Sequence, residues 1–225
     1  VTVSESLLPV LPEVLARIKN LFDLYCEPKA VYETLQVMNT LQPGLCVLGT
    51  RLPGCFNVFE MSVRAVLGQQ ITVKAASTLA ARLVAAYGTQ VQTGIEGLTH
   101  SFPAPAAILA LGENISGHLG KLGIISARAN TIYQLARVLA DEKNDFGFWG
   151  NPEEEMQKLQ AIRGIGSWTA QYIAMRAMSW PDAFLPTDAG IKKALPDHTP
   201  KELQVLSEAW RPWRSYATVN LWNTL

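Results

Sequence analysis

The stretch Leu159–Asp188, LQAIRGIGSWTAQYIAMRAMSWPDAFLPTD, constrains the fold of this 225-residue chain more than any other. From Pro152 onward Met156, Leu159 and Ile162 keep helical spacing; Gly164-Ile165-Gly166 interrupts it, and a second apolar-periodic run begins at Ser167. The pattern predicts helix, tight hairpin, helix over 152–178. Glycines open backbone angles closed to other residues and, lacking Cβ, let another backbone come close. The amides of Gly164, Gly166 and Ser167 are therefore expected at a helix N-terminus, where unpaired N–H groups and the positive dipole end attract a phosphate. Such a contact grips a nucleic-acid backbone without reading its sequence. Taken alone, Gly-x-Gly more often marks an ordinary helix-turn-helix corner.

The helix after the hairpin carries side chains suited to chemistry. Trp168 and Tyr172 are four residues apart and Met175 three further, so all three share one helix face. Such a stripe is usually core, but this one starts a turn from the anion site. A short connector then brings Pro186-Thr187-Asp188 ahead of another helical run, 189–195. Asp188 is expected in the first turn of that helix, where the dipole favours a negative charge, with Thr187 as its N-cap.

Charge is balanced overall, 19 basic against 19 acidic residues, so no blanket nucleic-acid coat is implied. The asymmetry is local. From Lys158 onward eight Lys and Arg stand against five Asp and Glu, whereas residues 141–155 hold six acids and one Lys. A polyanion-binding face thus belongs to the last third, away from 141–155. Cys26, Cys46 and Cys55 form an odd, loosely spaced set with no CxxC, which supports neither a disulfide framework nor a zinc site and fits a reducing, intracellular location. His100, His118 and His198 are scattered singly. No signal peptide or membrane-length apolar run is visible.

In chain order, the first residues are strand-prone, and a helix is expected over 11–25, stopped near Pro28. A short helix over 29–40 leads to the turn-rich QPGLCVLGTRLPGC. Helices are expected over 56–67 and 72–87 around Gly68-Gln69-Gln70-Ile71, then one capped by Ser101-Phe102-Pro103-Ala104-Pro105 and running through Leu111, and one from Ile125 to about Asp141. A helix is expected over 199–210 and another from Pro212, with Trp210 and Trp213 in the core. No stretch alternates well enough to build a sheet.

The motifs LxxxxGIGxWTAxYxAxR, FLPxDxxIK and AWRPWRSYAxxxxW, in this order and spacing, resemble the 3-methyladenine DNA glycosylase II type of the helix-hairpin-helix DNA glycosylases. LFDLYCEP, RLPGCFNVFEMSVRAVLGQQITV and LGKLGIISARANTI also fit, so the resemblance runs from about Leu21 to the end. It implies an all-α fold of two helical lobes with a cleft between them. Residues 1–55 are expected to pack with the C-terminal lobe 181–225, which carries Asp188, while 56–180 form the lobe containing the hairpin. The resembled family has an N-terminal α/β domain, of which this chain has room for only the last strand. Without an initiating Met, a fragment of a longer protein, such as a fusion, is one expectation and natural shortness the other.

By the same resemblance Asp188 is the catalytic carboxylate, and Trp168, Tyr172 and Trp222 wall a pocket for a flipped, alkylated base. Gln69, Gln70 and Ile71 belong to a loop that enters the minor groove, and Gln70 stands where well-known members place leucine. Backbone carbonyls of Gln160, Ile162 and Ile165 are expected to hold a structural Na+ or K+ bridging to a DNA phosphate. No other cofactor is required, and three cysteines cannot supply the four thiolates of the iron–sulfur cluster found in some relatives. Trp168 stands where glycosylase-lyases of this superfamily carry a nucleophilic lysine, which implies hydrolysis without strand cleavage. The expected partner is double-stranded DNA with alkylated bases, met by a monomer in the cytoplasm at the nucleoid, with no membrane involved. A non-catalytic helix-hairpin-helix DNA-binding module, possible within a fusion, would need neither Asp188 nor the aromatics, and a purely structural helical domain would bind no DNA at all.

Overall fold

The computed structural model describes residues 1–140 and 151–225. The expected end of a helix at Asp141 and the acidic residues 141–150 lie outside them. In chain order the elements are α1 (Leu11–Leu21), α2 (Pro28–Leu35), α3 (Val58–Leu67), α4 (Val73–Tyr87), β1 (Thr89–Gln90), β2 (His100–Ser101) and α5 (Pro105–Leu109). Then come α6 (Ile115–Gly120), α7 (Ser126–Leu139), α8 (Pro152–Gln160), α9 (Ser167–Ala177), α10 (Ala189–Ala194), α11 (Pro200–Leu206) and α12 (Arg214–Trp222). The fold is predominantly helical, as expected. One small sheet adds to it: β1 and β2 pair antiparallel, Thr89 opposite Ser101 and Gln90 opposite His100.

The chain divides into two compact units, one made of Val1–Phe56 with Ala174–Leu225 and the other of Asn57–Ile173. The passage between them falls inside α9. In the second unit α7 is the central helix, packed against α3, α5 and α6. It contributes Ala129, Ile132, Leu135 and Ala136 to a core shared with Val63, Val66 and Leu67 of α3, Ile108 of α5, and Ile115 and Leu119 of α6. Asn57 and Thr72 cap α3 and α4 through side-chain oxygens that accept the amides of Glu60 and Ala75.

In the first unit α10 packs on α12, and the core gathers Leu35, Met38, Leu45, Phe184, Leu185, Leu203, Trp210 and Leu221. Trp210 is buried edge-on against Phe184. Trp213, expected in the core, is only partly buried and meets Tyr216 edge-on. The buried amide of Asn220 ties the loop after Leu45 to α12: its oxygen accepts the Val47 amide at 3.1 Å and the Thr50 hydroxyl at 2.9 Å, and its nitrogen donates to Tyr216 O.

Several boundaries differ from the sequence expectation. The strand-prone start pairs with nothing among the described residues, and a lone strand has no ladder to stabilise it; Glu5–Val10 instead forms a 3-10 helix leading into α1. Helix α1 stops at Leu21 because Asp23 turns into the left-handed region, φ 52°. The expected single helices over 29–40 and 199–210 each finish in a 3-10 turn, Gln36–Thr40 and Ser207–Trp210.

Candidate active site and hairpin

The hairpin is built as its sequence demands. Asn151 caps α8, accepting the Glu153 amide, and Glu153, Glu154 and Glu155 occupy the first turn, where the dipole favours acids. The Ile165 amide closes the turn on Ile162 O at 3.0 Å, and Gly166 O accepts the Ala170 amide, so Gly166 opens α9. Gly164 sits at φ +95°, and a Cβ there would overlap the hydroxyl of the buried Thr131 on α7. That hydroxyl lies 2.9 Å from Arg163 O and 3.0 Å from Ala127 O, within hydrogen-bonding reach of both. A Cβ on Gly166, by contrast, would meet no atom within 4 Å. The two glycines therefore serve different ends: Gly164 lets the hairpin seat on α7, and Gly166 leaves open space beside the exposed amide end of α9.

This difference is testable. Gly164→Ala is expected to destabilise the protein by about 1–3 kcal/mol through left-handed strain and overlap with Thr131. Gly166→Ala should leave urea unfolding unchanged; if this end of α9 meets a phosphate, as the sequence expectation has it, the added methyl should weaken duplex DNA binding. Equal losses of stability in the two variants would contradict this assignment.

Of the expected aromatic residues, the structure brings Trp168 and Tyr172 together as a stacked pair, ring centroids 5.2 Å apart and planes at 6°. Both are partly buried, whereas Met175 is fully buried. Trp222 belongs to the unit that holds Asp188. Its indole N–H donates to Asp188 Oδ1 at 2.8 Å, and the Arg176 guanidinium lies 5.5 Å from its ring centroid.

Asp188 is 9% exposed. It is itself the N-cap of α10, not a first-turn residue behind a Thr187 cap: Oδ1 accepts the amides of Gly190 at 2.8 Å and Ile191 at 3.1 Å. Adjacent Thr and Asp both cap well, and only the backbone path decides which does so. Gly190 is required by close approach, since a Cβ there would lie 2.7 Å from Trp222 Cδ1 and 3.0 Å from Asp188 Oδ1. One carboxylate oxygen thus receives three N–H donors from two elements, which fixes the orientation of the group. Lys192 and Lys193 come next, on the exposed side of α10.

In the loop between α3 and α4, Gln70 is exposed at φ 55° and Ile71 is partly buried. Gln69 does not point outward: its Nε2 donates to Gly164 O and to Thr169 Oγ1, both at 2.9 Å. Arg128 of α7 donates to Gln69 O. Sequence reasoning missed Arg128, Thr131 and Thr169 because their partners lie 32–100 residues away, beyond the reach of any local pattern. As for the hairpin cation, Ile162 O already accepts one amide and a carbonyl has a second lone pair to offer. Neutral backbone oxygens of this kind suit a monovalent ion.

In chain order, an Asn-capped helix, a Gly-Ile-Gly turn and a second helix are followed by a helix that Asp188 caps. The chain matches the model of the AlkA N-terminal domain over residues 1–57 and that of the HhH-GPD superfamily base excision DNA repair proteins over residues 63–214. It belongs to the HhH-GPD superfamily. It is 38% identical over 224 residues to DNA-3-methyladenine glycosylase 2 of Escherichia coli K12, covering 100% of this chain and 76% of that protein. Over 216 residues it is 42% identical to the "Probable bifunctional transcriptional activator/DNA repair enzyme AlkA" of Mycobacterium tuberculosis, covering 93% of this chain but only 42% of that longer one. The 3-methyladenine DNA glycosylase structure from Archaeoglobus fulgidus superposes with a TM-score of 0.78 at 22% identity, covering 98% of this chain and 76% of that one, and shares the fold. No helix among the described residues is long and apolar enough to cross a membrane.

Proposed function

We propose that this protein is a monofunctional DNA glycosylase that releases alkylated bases of the 3-methyladenine and 7-methylguanine type from duplex DNA, acting as a monomer at the nucleoid. The observation that carries the reading is the fixed, nearly buried carboxylate of Asp188, held by Gly190, Ile191 and Trp222. The Escherichia coli relative, named for 3-methyladenine, supports the choice of lesion.

A base inside the duplex is out of reach, so its nucleotide must first rotate out of the stack, which costs a few kcal/mol and least for bases that pair poorly. Alkylation at a ring nitrogen makes the base cationic, and aromatic faces such as those of the stacked Trp168 and Tyr172 attract such a cation by about 0.5–2 kcal/mol. The glycosidic C1′–N bond then breaks, its electron pair leaving with the now neutral base. The sugar becomes oxocarbenium-like, and a preoriented carboxylate stabilises the positive charge now on the sugar more than it stabilises the uncharged sugar of the ground state. Water adds to C1′ and loses a proton, leaving an intact abasic strand. The amides of Gly164, Gly166 and Ser167 hold a phosphate, and a monovalent cation on the carbonyls of Gln160, Ile162 and Ile165 would add positive charge beside it. Gln70 fills the gap left by the base and hydrogen-bonds the orphaned partner, with Ile71 giving apolar support.

The test is to incubate the protein with methylated duplex DNA and identify what is released. Free 3-methyladenine with no borohydride-trapped covalent adduct is the expected result, since an indole at position 168 cannot form a Schiff base. A trapped adduct would overturn the monofunctional reading; DNA binding without any released base would point to a non-catalytic module.

A further inference from the structure

The loop that carries Gln70 contains a residue whose side chain does not face outward. Gln69 reaches across to the hairpin, donating from Nε2 to Gly164 O and to Thr169 Oγ1, and Thr169 is 3% exposed. From the other side Arg128 donates to the carbonyl of the same residue. That carbonyl belongs to the peptide unit joining Gln69 to Gln70, so its orientation sets the φ of Gln70. Gln70 stands at φ 55°, a conformation that a non-glycine residue keeps only where its surroundings over-determine it. The three contacts on Gln69 supply that determination, and two of them run to the hairpin.

We propose that Gln69 is a positioning residue, a bracket that couples the gap-filling loop to the phosphate-gripping hairpin and, with Arg128, holds Gln70 in its strained, outward conformation. This rests on the glycosylase reading above, in which Gln70 fills the space of an extruded base. Gln69 then contributes to recognising a flipped-out site without reading the DNA itself. When the loop is clamped in advance, Gln70 enters the gap without first paying for its ordering. When the bracket is cut, Gln70 relaxes and the gap is filled at a penalty, while the hairpin amides still meet their phosphate.

The experiment measures binding of the whole chain to a duplex containing a tetrahydrofuran abasic analogue and to the same duplex intact, with circular dichroism to check folding. Gln69→Leu is expected to lower the preference for abasic over intact DNA about tenfold, the loss of one to two net hydrogen bonds. Thr169→Val, which keeps the shape but removes the acceptor, should lower it severalfold, and Thr169→Ser should retain it. The double variant Gln69→Leu with Thr169→Val should be no worse than Gln69→Leu alone, as for two residues acting through one interaction. Intact-duplex affinity should fall less than abasic-duplex affinity, and its salt slope should stay parental, because the phosphate contacts are untouched. A preference within twofold of the parent in folded Gln69→Leu overturns the proposal. So does equal behaviour of Thr169→Val and Thr169→Ser, or a parallel loss on both duplexes. A parent that prefers abasic DNA yet releases no base would sink the glycosylase reading and leave the bracket standing.

Discussion

Asp188→Asn is expected to lower the rate of base release by about two to three orders of magnitude or more, the range seen when a preorganised electrostatic stabiliser is removed. Carboxylate and carboxamide are nearly the same size, and the amide oxygen can still accept the Gly190, Ile191 and Trp222 N–H groups that Oδ1 accepts now. The cap on α10 therefore survives, and what disappears is the charge. Because the oxocarbenium-like sugar forms only on the way to products, the loss should appear in the single-turnover rate, with DNA affinity within a few-fold of the parent. Near-parental turnover on methylated duplex would remove Asp188 from the mechanism. A large drop in thermal stability would instead say that the amide had disturbed the cap, which circular dichroism distinguishes.

The parts of this site that were legible in the sequence are those written in neighbouring residues. Gly164-Ile165-Gly166 between two apolar-periodic runs is local punctuation, and it is enough to place the hairpin and its flanking helices α8 and α9. The Asp188 carboxylate at the start of α10 could be placed to within one residue. Its capping role could not, since Thr187 and Asp188 are both good caps and the choice rests on backbone dihedrals. Helix α6 gave no signal: its six residues, ISGHLG, include two glycines, and Ile115 and Leu119 make a helix there because they pack under α7. The inward turn of Gln69 was illegible for the same reason. Its sequence context, between Gly68 and Gln70, suggests an exposed loop, and the partners that turn it lie 95 and 100 residues further on. Trp222 was read by resemblance as a pocket wall, whereas its indole N–H on Asp188 depends on how α10 meets α12.

The meeting of α10 with α12 leads to the second large effect, at Asp182. This carboxylate is 6% exposed and takes both faces of the Arg214 fork, Nε at 2.7 Å on Oδ1 and Nη2 at 2.8 Å on Oδ2, with Arg211 Nε at 3.0 Å on Oδ2. Arg214 is buried in turn, and its remaining charged contact is to the exposed Glu208 at 3.3 Å. Around the pair, Ser215 binds the same connector: its amide donates to Pro181 O, and its hydroxyl accepts the Ala183 amide. The start of α12 is thereby stapled to the chain that leads into α10, and the far end of α12 returns through Trp222 to Asp188. Asp182→Ala strands a buried guanidinium, which costs about 3–5 kcal/mol, because desolvation of Arg214 is then no longer offset by its partner. For a chain of this size that corresponds to a fall in Tm of about 6–20 °C, which differential scanning calorimetry would read directly. Asp182→Leu combined with Arg214→Met removes both charges and should recover most of the loss, because an apolar pair of similar volume leaves nothing unpaired in the interior. If Asp182→Ala alone shifts Tm by less than about 2 °C, the pair is not what holds α12 in place, and the Ser215 contacts carry that task.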